Sequence, residues 1–78
     1  MRWATYREHE RPIDALVYFT SCQIATYHYV KSLKRTARSE VTRQRSIAEK
    51  MLAACEKYGA EAEAILWLQK ELSDPDTR

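Results

Sequence analysis

The amino-acid sequence predicts an all-α protein built on an antiparallel helical hairpin, and three observations carry that expectation. Only one glycine and two prolines occur in 78 residues, too few for the turns and corners of a sheet protein. Residues suited to a buried face recur at alternating steps of three and four from Ile13 to Leu72. The two halves of that pattern match when the chain is folded back near residues 37–41. A chain of this length supports one small core, so residues 1–78 read as a single helical domain.

The N-terminal segment, 1–11, carries acids and no apolar stretch of the kind a secretory signal needs. No run of about eighteen apolar residues follows, which argues against a membrane span. With two cysteines, too few for a disulfide scaffold, the expectation is a cytoplasmic protein with free thiols.

The first helix is expected over 12–37. Pro12 has its φ pre-set for a first helical turn, and Asp14 places negative charge near the positive end of the dipole. One stripe runs through Leu16, Phe19, Gln23, Thr26, Val30, Leu33 and Ala37; a second runs beside it through Ile13, Val17, Thr20, Ile24 and Tyr27. Together they cover more than half of the helix circumference, which suits a central or shared helix.

The pattern lapses around "RTARSEV", where Ser39 reads as an N-cap with Glu40 behind it. The second helix is expected over 39–73, through Val41, Gln44, Ala48, Met51, Cys55, Tyr58, Ala62, Ile65, Gln69 and Leu72. Gly59 lies inside it, either as a kink or as a break, because glycine is the favoured residue just past a helix end. Asp74-Pro75 stops the helix and leaves 74–78 as a tail.

Folding the helices together sets Leu33 against Gln44, Val30 against Ala48, Thr26 against Met51 and Phe19 against Tyr58. Cys22 and Cys55 fall at one level, with Cys22 at the edge of the seam. The wide arc of the first helix still needs a cover. A second copy would make a four-helix bundle through Ile13, Val17, Ile24 and Tyr27, and this homodimer is the favoured expectation. The alternatives are a third helix after Gly59 or the segment holding Trp3 and Tyr6.

The stretch "YFTSCQIATYHYV" contains a thiol, a histidine and aromatic rings, but His28 and Cys22 point to different sides of a helix and cannot form one site. His28 falls on the polar side as a surface residue. His9, in "REHER", lacks a second ligand at zinc spacing. A single glycine excludes a phosphate-binding glycine loop. No catalytic residue, metal ligand or cofactor site is therefore expected.

Charge is the strongest remaining signal. Residues 31–50 hold seven cations, Lys31, Lys34, Arg35, Arg38, Arg43, Arg45 and Lys50, against Glu40 and Glu49, while the C-terminal part is acidic. By elimination the sequence reads as a non-enzymatic protein-binding regulator, adaptor or inhibitor. Its expected contacts are Lys31, Lys34, Arg35, Arg38, Arg43 and Arg45, with Trp3, Tyr29 and Trp67 as aromatic anchors. The alternative is a nucleic-acid-binding helical protein using the same 31–50 cluster.

Overall fold

The computed structural model describes residues 11–73, which form α1 (Pro12–Ser32), α2 (Arg38–Lys57) and α3 (Ala62–Ser73). No strand occurs among them. The fold is a helical hairpin closed by a third helix.

Arg11 is extended, and Pro12 begins α1 without a side-chain cap. Asp14, in the first turn, accepts bonds from the Arg11 Nε and Nη2 at 3.0 and 2.9 Å. The same guanidinium donates to Glu61 at 3.1 Å, tying the start of α1 to the approach of α3. The helix then ends five residues short of the expected 37, with Leu33 already extended. Continued as helix, Lys31, Lys34, Arg35 and Arg38 would line one face at steps of three and four, where like charges repel. Breaking the helix takes Lys34 and Arg35 out of that row and into the connection.

The N-cap of α2 is Ala37 rather than Ser39, again with no side-chain cap. Its other end stops at Gly59, whose φ of +85° is the left-handed conformation glycine adopts without strain. The Gly59 N–H donates to the Glu56 carbonyl at 3.3 Å and the Ala60 N–H to that of Cys55 at 2.9 Å. That bonding is the Schellman arrangement, and Ala60 packs on the core as such ends usually do. Gly59 is thus a break, which the uninterrupted spacing had concealed.

Three short stripes make the core. Val17, Thr20, Ile24 and Tyr27 come from α1; Ala48, Leu52 and Cys55 from α2; Ala64, Leu68 and Leu72 from α3. Burial of such apolar side chains is the main stabilising term. The stripe of α1 that lies inside is the second one. This corrects the expectation that a second copy covers Val17, Ile24 and Tyr27, because α2 and α3 of the same chain already do; Ile13 is half-buried. The expected seam residues Phe19 and Tyr58 are 48% and 66% exposed and do not meet in the core.

The register differs for the same reason. Thr20, not Cys22, faces Cys55, with Oγ1 and Sγ 3.2 Å apart, and Cys22 is exposed. Gln23, not Leu33, meets Gln44, its Nε2 donating to Oε1 at 2.6 Å. Gln44 and Cys55 are about three turns apart on α2, yet their partners are less than one turn apart on α1. The single matched register expected along the seam is therefore not kept.

Candidate functional site: a cationic turn

The C-terminus of α1, the N-terminus of α2 and the C-terminus of α3 meet at one end of the bundle. Lys31 lies in the last turn of α1, Lys34 and Arg35 in the connection, and Arg38 at the first position of α2; all four are exposed. Lys31 and its neighbours complement the negative end of the α1 dipole. Arg38 sits instead on the positive end of α2, so cation and helix end reinforce one another.

The seven cations expected to act together are divided by the fold. Arg43 Nη2 is held by Glu40 at 2.7 Å, and this pair, with Gln44, draws the Glu40 carboxyl below its ordinary pKa. Arg45 donates to the Tyr27 hydroxyl at 3.0 Å and to Glu49 at 3.1 Å. Lys31 lies 5.8 Å from the centre of the Tyr27 ring, within cation–π reach. Lys34, Arg35 and Arg38 form no ion pair among the described residues. Lys50, on the body of α2, forms none either, but Lys34, Arg35 and Arg38 are the ones that fall together at the turn. The sequence spacing already put Glu40 and Glu49 one turn from Arg43 and Arg45; it did not show that α1 ends at Ser32 and leaves Lys34 and Arg35 in the connection.

The aromatic anchors separate from that turn. Tyr29 is 65% exposed but lies on the side of α1 turned away from the core and from Lys31. Trp67 is half-buried and packs on the core. Trp3, Tyr6 and His9 lie outside the described residues.

His28 is where the sequence reading needs correction. It is a docking residue, not a surface one, with Nε2 2.6 Å from the Glu71 carbonyl oxygen. A carbonyl only accepts, so Nε2 carries the proton. His28 Nδ1 is buried and has no hydrogen-bond partner. The polar stripe of α1 thereby receives the C-terminal half of α3.

At the far end, Pro12, Ile13, Leu16 and Tyr58 line an apolar depression of about 360 Å³. Its only functional group is the tyrosine hydroxyl, which offers no acid–base or nucleophilic pair. Among the described residues no three His, Cys, Asp or Glu side chains are placed to hold a metal. No described helix is long and apolar enough to cross a membrane. No family model matches the chain, and neither does any curated protein or solved structure at a significant level.

Proposed function

We propose that this protein is a small cytoplasmic, non-enzymatic regulator, adaptor or inhibitor that binds an acidic face of another protein stoichiometrically. The observation that supports the reading is the contrast among its cations. Arg11, Arg43 and Arg45 are engaged by acids of the same chain, whereas Lys34, Arg35 and Arg38 project together from one turn with no such pairing among the described residues. A compact patch of one sign steers and orients a partner of the other sign.

The test is a triple charge reversal, Lys34→Glu, Arg35→Glu and Arg38→Glu, made on exposed residues so that the fold persists. Immobilised wild-type protein should retain a defined acidic protein from extract, with retention falling as salt rises, and the variant should release it. Titration with mixed DNA and RNA across the same salt series separates the alternative. Association with nucleic acid that weakens steeply with salt and is abolished by the triple variant moves the site to phosphates. Equal retention of the acidic protein by wild type and variant would overturn the role of the turn.

A further inference from the structure

Two contacts fix the direction of α3. Glu61, on its approach, meets Arg11 just before α1 begins, and the Glu71 carbonyl near its end meets His28 near the end of α1. The helix therefore runs parallel to α1 and points its C-terminus at the cationic turn. After Ser73 the sequence continues as Asp74, Pro75, Asp76, Thr77 and Arg78, which lie outside the described residues.

Asp74 stands four residues past Lys70, the spacing of a helical ion pair, but Pro75 disfavours the helical conformation in the residue before it, so the sequence does not favour that pair. The cations of the turn are within reach instead. A stretch of three extended residues spans about 10 Å. Lys34 lies six positions past His28, of which four continue α1 for about 6 Å. Lys34, Arg35 and Arg38 are exposed, and no described acid pairs with them.

We propose that Asp74 and Asp76 pair with Lys34, Arg35 and Arg38, so that the segment following α3 occupies the cationic turn and an acidic partner must displace it. The regulatory half of this proposal rests on the partner reading above; the contact itself does not. Two carboxylates against three cations leave the turn net positive, and exposed pairs are weak and screened by salt. The segment is therefore a competitor that sets a threshold. A partner presenting several acids displaces it, and an isolated carboxylate does not.

A carbodiimide, which joins carboxylates directly to amines in contact with them, should link Asp74 or Asp76 to Lys34 within one chain at low salt, as read by peptide mass spectrometry. The link should fade as salt rises toward about 0.5 M. Poly-L-glutamate then probes the masking. Asp74→Asn with Asp76→Asn should bind it at least about threefold more tightly than wild type. Glu56→Gln with Glu63→Gln, which removes two exposed charges at the other end of the bundle, should change binding by less. No link between the segment and Lys34, or equal gains from the two double variants, would overturn the proposal. Poly-L-glutamate bound by no form while the link is present would overturn the partner reading and support the contact.

Discussion

The Thr20 hydroxyl and the Cys55 thiol meet 3.2 Å apart in the buried interior, and their proton order is fixed by a third atom. Thr20 Oγ1 donates to the Leu16 carbonyl at 2.7 Å, which uses its only proton. The thiol is therefore the donor to the hydroxyl, a bond that requires Cys55 to stay protonated.

Desolvation pushes the Cys55 pKa up, with the Glu56 carboxylate adding to the rise. Cys22, exposed, should react with an aromatic disulfide reagent within minutes, and Cys55 only through unfolding. Stability tied to the neutral thiol is present below its unfolded pKa and is lost as pH rises through the higher folded value. Two thiols modified at equal rates in native protein would contradict the packing.

The left-handed turn at Gly59 predicts a backbone effect without a steric one. A Cβ there meets nothing within 4 Å, so Gly59→Ala should cost about 1 kcal/mol from conformation alone, measured by urea unfolding. Gly59→Asn should cost less, since Asn tolerates this region. A neutral Gly59→Ala would mean that α2 and α3 run continuously.

The phase of α3 is tested by neighbours of like chemistry. Leu68 is fully buried and Leu66 is 66% exposed. Leu68→Ala should lose about 3 kcal/mol, and Leu66→Ala no more than about 0.5 kcal/mol. Similar losses at both positions would place α3 in a different rotation.

Glu40 provides a measurement at the start of α2. Its carboxyl is lowered by hydrogen bonds from Arg43 first and Gln44 second. A lowered folded pKa means stabilisation that is present above the unfolded value and lost as pH falls through the folded one. Carbon-detected NMR titration should find Glu40 below the ordinary 4.5, returning toward it in Arg43→Gln. A midpoint unchanged by that substitution would remove the pair.

The helical class was legible because scarcity of glycine and proline and the 3-4 spacing both follow from helix geometry alone. What spacing could not decide is which of two adjacent stripes turns inward. Phe19 and Leu33 are more apolar than Thr20, yet Thr20 lies in the core, since its hydroxyl is satisfied locally by Leu16 and a thiol. The same ambiguity hid the role of His28, whose partner is a backbone carbonyl that no side-chain pattern records. Of the site, the cations were legible as a cluster. Their division into compensated and uncompensated members rests on Glu40 and Glu49 lying one turn away.

The bond from Arg11 to Glu61 joins residues 50 positions apart, so it forms only after α2 has been synthesised. A ribosome releases α1 first, at about 5–20 residues per second, before the helices that cover Val17 and Tyr27 exist. For some seconds α1, charged only at Asp14 and Lys31, must wait with its core stripe wet. Nascent chains arrested before α3 should accordingly recruit hydrophobic holdase chaperones, and release them once Leu68 and Leu72 emerge.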